Sequence, residues 1–389
     1  MARCHLTEGR RHYEVGTDKL LSRDFRSFGD FFNIDNLPLV YQLKPFARHY
    51  DHMAEFFQSP RLKAAFTFQD VYMGLSPFEA PATFSMMPFS EIAHGVWYPR
   101  GGMYTIVEAL VSLARAAGVE FLFDTEVKQI AIRNDRTHGV ILEDERLLPA
   151  DVVLANADLP YVYRDLLPPG DLAAKMSRKR YSCSTISFFW GIDCVVPLPP
   201  HSLFLAEDYR QNFISIIRDL EMPANPSVYI HAPARLDPSM APPGEDTLIA
   251  HVPVGHLAEN REQHWGEIRD RARDHVFRRL ALLGITDLDE HIKFETSFNP
   301  LSWRKRYNLV KGSTHGLCHN LTQLGYFRPP NRHPDYENLY FVGASTHPGT
   351  GLPTAMVSGR LVARRITEEL GIYQFGRALK KERPQPIWG

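Results

Sequence analysis

The chain has 389 residues, more than a single hydrophobic core usually serves, so its length predicts two domains or one domain split by an insertion. Its 44 basic and 45 acidic residues nearly balance, and no Lys/Arg run exceeds three residues, which argues against a general nucleic-acid binder. Four scattered cysteines argue against a disulfide scaffold, and residues 1–16 contain no apolar stretch of the secretory type, so we expect an intracellular, reducing compartment.

The first part of the chain is predicted to be helical. Apolar residues recur at near-helical spacing within residues 11–65, with an interruption at Pro45. Residues 66–89 are rich in aromatic residues and methionines, and their three prolines exclude one long helix. Two interpretations of this segment stay open: it lines an apolar cavity, or it is irregular core packing.

From residue 94 the pattern indicates alternating helices and strands. Gly101 and Gly102 permit a tight backbone path before a helix that Gly118 is predicted to end, and Ile106 and Leu113 belong to one face of this helix. Strands are predicted at residues 119–123, 127–132, 139–143 and 150–155, the last of them an apolar run typical of a parallel sheet.

Residues 160–330 have a different pattern, which predicts an inserted antiparallel or mixed sheet with one amphipathic helix. The predicted strands are residues 184–190, 227–231, 247–252 and 291–296, and the predicted helix is residues 264–283. The alternating pattern then returns, with a strand at residues 338–343 and a helix opened by Pro353 that ends near Leu370.

The stretch FVGASTHPGTGLPTAMVSGR, residues 341–360, is one glycine short of a dinucleotide fingerprint. Its paired glycines stand several residues after the strand and Thr354 replaces the third glycine, so we reject pyrophosphate binding at this loop. A helix N-terminus with free backbone N–H groups favours a ligand that develops negative charge, such as reduced flavin. The alternative is a helix capped by Thr350, with glycines that serve only packing.

Two other chemistries receive little support from the sequence. His315, Cys318 and His319, with His347 further along, match no standard zinc spacing, so no metal site is predicted. Ser345, Thr346 and His347 are adjacent in sequence and do not form a triad, and no carboxylate pair stands out as general acid and base.

Several blocks in family order carry a resemblance that covers roughly residues 11 to 372. They include FTFQDVYMGLSPFEAPATFS, GVWYPRGGMYTIVEAL, ADVVLANADLPYVYRDLL and NLYFVGASTHPGTGLPTAMVSGRLVA. On these residues the chain resembles the phytoene desaturase family of carotenoid biosynthesis, in its fungal type, within the flavin-dependent amine-oxidase-like oxidoreductases.

The resemblance implies an α/β fold: an incomplete Rossmann-like FAD domain built from separated segments, with an inserted substrate domain of mixed or antiparallel sheet and a helical lid. The implied boundaries are residues 1–93 for a helical substrate- and membrane-facing region, 94–160 for one FAD segment, 161–330 for the substrate domain, 331–372 for the C-terminal FAD segment, and 373–389 for a tail.

The implied activity is desaturation of phytoene or a related C40 polyene, in which FAD accepts a hydride and a neighbouring carbon loses a proton. Implied partners are the apolar carotenoid and a membrane surface, which the protein would meet peripherally, with a homo-oligomer left open. His347 is the candidate proton acceptor, against the alternative that it is a loop residue hydrogen-bonded to backbone. The implied FAD contacts are Gly101, Gly102, Val127, Gly343, Ala344, Thr346, Gly349, Gly351, Leu352 and Pro353.

One departure from the family pattern bears on function. Family members begin with a strand, G-x-G-x-x-G and a helix that hold the FAD pyrophosphate, and this sequence contains no such fingerprint. We therefore expect a chain truncated at its N-terminus, a fragment or a degenerate paralogue. The alternatives to a desaturase are a non-catalytic remnant that pairs with a full-length desaturase, or a carotenoid isomerase or ketolase of the same superfamily.

Overall fold

The computed structural model describes residues 2–372 of the chain, in which seven α-helices precede the first strand and both helices and strands follow. The α-helices are α1 (Ala2–Gly16), α2 (Phe28–Phe31), α3 (Leu37–Leu43), α4 (His49–Met53), α5 (Pro60–Ala65), α6 (Met86–His94), α7 (Tyr104–Ala116), α8 (Leu159–Tyr161), α9 (Asp171–Ser177), α10 (Tyr209–Phe213), α11 (Trp265–Ala281), α12 (Pro300–Tyr307) and α13 (Leu352–Glu369). The strands are β1 (Val127–Arg133), β2 (Arg136–Leu142), β3 (Leu147–Pro149), β4 (Val153–Ala155), β5 (Ser184–Ile192), β6 (His201–Phe204), β7 (Val228–His231), β8 (Asp246–Val254), β9 (Ile292–Phe298) and β10 (Leu339–Phe341).

The described residues divide into two compact units, each assembled from separated stretches of chain. Unit 1 comprises residues 2–13, 43–126 and 178–320, and unit 2 comprises residues 14–42, 127–177 and 321–372.

Unit 1 is built on a five-stranded sheet with the strand order β6-β7-β8-β5-β9, in which every neighbouring pair is antiparallel. This confirms the antiparallel sheet that the sequence predicts for residues 160–330. Phe188 and Trp190 of β5 are fully buried and share the core with Ala272 and Val276 of α11. Burying each large apolar side chain contributes about 1.5–3 kcal/mol. The buried side chains of β5, β8 and α11 therefore contribute much of the stability of this unit. Strand β9 lies at the edge of the sheet and is mostly exposed.

Unit 2 contains a parallel strand pair and a small antiparallel sheet. Strand β10 runs parallel to β4, with Leu339 opposite Val153 and Phe341 opposite Ala155, so the apolar run at residues 150–155 does provide a strand of a parallel pair. Strands β1, β2 and β3 form the antiparallel sheet. At the level of mixed helices and sheets, the predicted α/β class is confirmed.

Two predictions between residues 104 and 126 have different outcomes. Helix α7 is confirmed, and Gly118 follows its end with φ of +86° and donates its N–H to the carbonyl of Arg115. None of the residues of α7 is buried. The predicted strand at residues 119–123 is wrong: this segment has no regular structure. The predicted C-terminal tail, residues 373–389, lies outside the described residues.

Candidate functional site

The loop between β10 and α13, residues 342–351, is called the glycine loop below. It starts where Val342 N–H donates to the carbonyl of Ala155 at 3.1 Å, directly after the parallel pairing of β10 with β4. Gly343, Gly349 and Gly351 have φ of 120°, 138° and 109°, a region open to glycine and strained for other residues. Gly349 is buried, whereas at Gly343 and Gly351 the loop presents accessible main chain without a side chain, so a ligand can approach the backbone closely there.

The N-terminus of α13 follows the glycine loop and is exposed to solvent. Gly351, Leu352 and Pro353 are exposed, and within the described part of the chain no side chain caps this helix. The N-cap residue is Gly351 rather than Thr350, and Thr354 Oγ donates back to the carbonyl of Gly351 at 2.8 Å. The first N–H groups of a helix have no intrahelical partner and form its positive dipole end. This end of α13 can therefore stabilise negative charge on a bound group.

A buried arginine fixes the shape of the glycine loop through hydrogen bonds to its carbonyls. Arg328 is 2% exposed, and its Nε donates to the carbonyl of Thr346 at 2.9 Å. Its two terminal nitrogens donate to the carbonyl of Gln323 at 3.0 Å and to the carbonyl of Ala344. One planar side chain thus holds two carbonyls of the loop in fixed positions.

Asn331 adds a second buried anchor. Its Nδ2 donates to the carbonyls of Phe341 at 3.1 Å and His347 at 2.9 Å, and lies 3.1 Å from Ser358 Oγ of α13. Ser358 Oγ also donates to the carbonyl of His347 at 2.9 Å. Strand β10, the glycine loop and α13 therefore share one buried hydrogen-bond network, which keeps the loop conformation rigid.

Of the three polar residues in the middle of the loop, His347 and Ser345 bond to other parts of unit 2 and Thr346 bonds within the loop. His347 is buried, its Nε2 lies 2.8 Å from the carbonyl of Arg23, and burial lowers its pKa to about 4. Ser345 Oγ donates to Asp158 Oδ1 at 2.7 Å, and Thr346 Oγ donates to the carbonyl of Gly343 at 3.0 Å. His347 is thus a loop residue hydrogen-bonded to backbone, which was the alternative to its role as proton acceptor. Ser345 is hydrogen-bonded to a carboxylate instead of a histidine.

The remaining predicted cofactor contacts lie elsewhere in the chain. Val127 is the first residue of β1 in unit 2, where it pairs with Leu142. Gly101 and Gly102 belong to unit 1 and have φ of 83° and 94°. The N–H of Gly101 donates to Asp237 Oδ2 at 2.5 Å. Their contacts with FAD stay predictions.

Unit 1 contains a cavity of about 360 Å³, and the sequence indicated only the part of its lining that comes from residues 66–89. Its lining residues are Phe68, Val71, Tyr72, Cys183, Ser184, Thr185, Tyr229, His251, Pro253 and His315. The first three come from residues 66–89, so this segment does line a mostly apolar cavity.

Two half-buried histidines contribute to the polar character of the cavity. His251 Nδ1 lies 2.8 Å from Ser187 Oγ, its ring stacks on Tyr229 with centroids 5.9 Å apart, and burial lowers its pKa to about 4. Burial also lowers the pKa of His315 to about 4. Both imidazoles are therefore neutral at physiological pH. The only sequence signal for His251 was a polar residue inside the apolar strand LIAHVPV.

The sequence cluster around His315 does not assemble into a metal site. His319 Nδ1 lies 3.1 Å from the carbonyl of Met73, while Cys318 Sγ lies 3.1 Å from Asn320 Oδ1. Among residues 2–372, the single group of three ligand side chains close enough to share an ion is a different one, Asp193, Cys194 and His291.

Comparison with known proteins gives the family. The family model described as flavin containing amine oxidoreductase matches residues 36–367. A phytoene desaturase from Fusarium fujikuroi is 39% identical over 388 residues, which cover 94% of this chain and 68% of that protein. A zeta-carotene-forming phytoene desaturase from Myxococcus xanthus is 40% identical, with 93% and 70% of the two chains covered.

A solved structure supports the same fold. An oxidoreductase from Methanosarcina mazei has a TM-score of 0.53 at 18% identity, over 87% of this chain and 75% of that one. At this identity the likeness concerns the fold alone. The family model and the two sequence relatives show that the chain belongs to the phytoene desaturase family within the flavin-containing amine oxidoreductases.

Proposed function

We propose that this protein is an FAD-dependent oxidoreductase that desaturates phytoene or a related C40 polyene in carotenoid biosynthesis. The observation that carries the proposal is the identity of 39–40% to phytoene desaturases along more than nine-tenths of the chain. The glycine loop and the apolar cavity supply the two features that this chemistry needs, a backbone surface for a flavin ring and an apolar site for a hydrocarbon chain.

The glycine loop fits the ring end of FAD. Gly343 and Gly351, which have positive φ and are not buried, and the exposed Leu352 at the N-terminus of α13 offer backbone N–H groups to the negative charge that a reduced flavin carries. FAD, when bound, supplies the hydride acceptor of the reaction. The finer fold belongs to the same proposal: residues 94–160 and 331–372 form parts of a Rossmann-like FAD domain, residues 161–330 bind substrate, and residues 1–93 cover it.

Desaturation also requires a group that accepts a proton from the substrate, and the cavity contains one. In the tautomer whose Nδ1–H donates to Ser187 Oγ, His251 has its lone pair on Nε2. A neutral imidazole among apolar side chains can take up a proton while water is excluded. We propose His251 for this role in preference to His347, because His251 lines the cavity and His347 is bonded to Arg23.

The experiment is incubation of the purified protein with FAD and phytoene in lipid vesicles, with the products separated by chromatography and weighed by mass spectrometry. We expect FAD to bind and the product to lose pairs of hydrogens. A protein that binds no FAD and forms no product would overturn the proposal. An isomer of unchanged mass would indicate an isomerase, and added oxygen a ketolase. Stimulation of an added full-length desaturase without intrinsic turnover would indicate the non-catalytic partner.

The same assay tests the proton acceptor. His251→Gln is expected to lower turnover by about 10²-fold or more, with FAD content unchanged. His347→Gln is expected to lower FAD content and thermal stability instead, because it removes the buried contact between the His347 ring and the carbonyl of Arg23. The control His138→Gln changes an exposed histidine of β2 and should match the wild type. Full turnover by His251→Gln would remove His251 from the mechanism.

We further propose that the protein binds the surface of an intracellular membrane through an aromatic patch, defined as Phe28, Phe31, Phe32, Tyr326 and Phe327. Phe28 and Phe32 stack with centroids 4.3 Å apart and are 62% and 43% exposed. Ile34, Leu37 and Tyr41 extend the exposed apolar surface along the chain. No helix in the described part of the chain has the length and apolar character to cross a bilayer. Contiguous exposed apolar surface of this kind favours an interfacial contact, where a C40 hydrocarbon is dissolved.

Flotation with phosphatidylcholine vesicles checks this proposal. The double variant Phe28→Ser, Phe32→Ser is expected to reduce the vesicle-bound fraction several-fold, because it removes two aromatic side chains from the surface. Leu282→Ser removes an exposed apolar side chain after α11, 73% exposed, and should leave binding unchanged. Equal binding by the double variant and the wild type would contradict the role of the patch.

A further inference from the structure

The end of β5 and the start of β9 bring three metal-ligating side chains together. Asp193 and Cys194 follow β5 directly, while His291 immediately precedes β9. The register pairs Ile192 with Ile292, and Asp193 N–H donates to the carbonyl of His291 at 3.0 Å. A ligand atom from each of the three side chains lies within 4.8 Å of the other two. Sheet pairing thus fixes the backbone from which all three side chains extend.

The surroundings of these side chains restrict their orientation. Asp193 Oδ1 lies 2.7 Å from His291 Nδ1, while Asp287 Oδ2 lies 3.6 Å from His291 Nε2. The imidazole is therefore placed between two carboxylates, one at each nitrogen. Cys194 is half-buried and packs against the core of unit 1, which holds its sulfur near the sheet. None of these four residues lines the cavity.

We propose that Asp193, Cys194 and His291 form a binding site for a divalent cation of the zinc class. A thiolate, an imidazole nitrogen and a carboxylate oxygen form a ligand set that Zn²⁺ accepts, and water would complete the tetrahedron. His291 would bind through Nδ1 in place of its contact with Asp193, and Asp287, whose Oδ2 lies 3.6 Å from Nε2, would attract Nε2–H and help to keep the orientation of the imidazole. As the metal–sulfur bond forms, the thiol of Cys194 gives up its proton to solvent.

The proposed role of the ion is structural. It would join the end of the central strand β5 to the start of the edge strand β9, at a point where β9 is otherwise mostly exposed. A metal that binds the folded state stabilises it by mass action. The site depends neither on FAD nor on a polyene, so it stands apart from the proposed function.

Titration of the chelator-treated full chain with Co²⁺ tests the site, because a Co²⁺–thiolate bond gives a charge-transfer absorption that histidines and carboxylates cannot give. We expect this band in the wild type and its loss in Cys194→Ser. His291→Gln should weaken Co²⁺ binding at least tenfold. Asp287→Asn should weaken it by about 10-fold, the usual effect of losing a group that orients a ligand.

A neighbouring carboxylate provides the matched control. Asp289→Asn lies in the same turn but pairs with Arg273, so it should leave Co²⁺ binding unchanged. Zn²⁺ should raise the melting temperature of the wild type and not that of Cys194→Ser, while the two metal-free proteins should melt alike. Absence of the thiolate band in the wild type, or its survival in Cys194→Ser, would overturn the proposal.

Discussion

Arg328 shows how a single side chain prepares the glycine loop for a ligand. Its guanidinium is buried, and its donors meet carbonyls that would otherwise have to find other partners. A buried carbonyl without a hydrogen bond costs about 1–3 kcal/mol. The loop conformation therefore depends on a donor with planar, forked geometry, which lysine lacks.

We expect Arg328→Lys to lower the free energy of unfolding by about 2–4 kcal/mol, because one ammonium cannot reach the carbonyls of Gln323, Ala344 and Thr346 together. The same variant should retain less FAD after purification. Urea unfolding and flavin absorbance measure the two effects.

Arg332→Lys is the control for this prediction. Arg332 lies four residues further along the chain and pairs with Glu369 at 3.1 Å at a partly exposed position. Such pairs contribute about 1 kcal/mol or less, so this variant should behave nearly as the wild type. A similar loss in both variants would mean that Arg328 has no special role in the loop.

At the scale of elements, the sequence predicts best what local chemistry decides. Gly118 ends α7 and Pro353 lies in the first turn of α13 because left-handed and proline-restricted φ values act within one turn. The parallel character of β4 was also predictable, since its short apolar run is typical of a buried strand, although its pairing with β10 was not predicted.

Predictions that depended on distant partners were less accurate. Residues 119–123 are mostly apolar, as in many strands, but Leu122 and Phe123 are 63% and 66% exposed, and no described strand pairs with them. A strand needs a neighbour to satisfy its backbone groups, which a local pattern cannot reveal. The contribution of His251 to the cavity was missed for the same reason, because it needs β8 and His315 to meet in space.

The same contrast between local sequence and distant partners applies to the candidate site. The sequence indicated the backbone features of the glycine loop, because glycine and proline restrict φ locally. It gave no indication that Arg328 and Asn331 support the loop, because their hydrogen bonds join residues 10 to 18 positions apart in the chain. His347 was named from its position in the sequence, and the contacts of its ring with Arg23 and Phe25 show how it is held.

Across the whole molecule, buried neutral histidines connect stability to pH. Burial is the largest cause that lowers the pKa of each from 6.5 to about 4, in His5, His12, His251, His275, His315, His333 and His347. Between pH 6.5 and pH 4 the unfolded chain binds protons at these positions and the folded protein does not. The free energy of unfolding therefore falls as the pH falls through this window, and is unaffected by these groups above it.

We expect the melting temperature to be constant between pH 7 and pH 8 and to fall steeply below pH 6.5. Each histidine lowers the free energy of unfolding by at most about 1.4 kcal/mol per pH unit within the window. Thermal unfolding followed by circular dichroism at half-unit pH intervals measures the profile. A melting temperature that stays constant down to pH 4.5 would contradict the assignment of neutral, buried imidazoles.

His5 allows this explanation to be tested at one position. Its ring lies among Phe56, Phe57 and Phe66, with centroids 5.1–5.7 Å away, and neither ring nitrogen has a hydrogen-bond partner among the described residues. His5→Phe keeps the aromatic packing and removes a group that must stay neutral, so it should raise the melting temperature at pH 5.5 by roughly 2–4 °C and less at pH 7.

The matched variant His12→Phe should behave in the opposite way at neutral pH. His12 Nδ1 lies 2.6 Å from Ser85 Oγ, so phenylalanine there would leave a buried hydroxyl without that partner and lower the melting temperature at pH 7. If His5→Phe were as destabilising as His12→Phe at pH 7, or had the wild-type acid sensitivity, burial of unpaired imidazole would not be the cause of the pH dependence. Opposite signs at pH 7 would show that the cost lies in the unpaired nitrogens and not in the loss of a histidine.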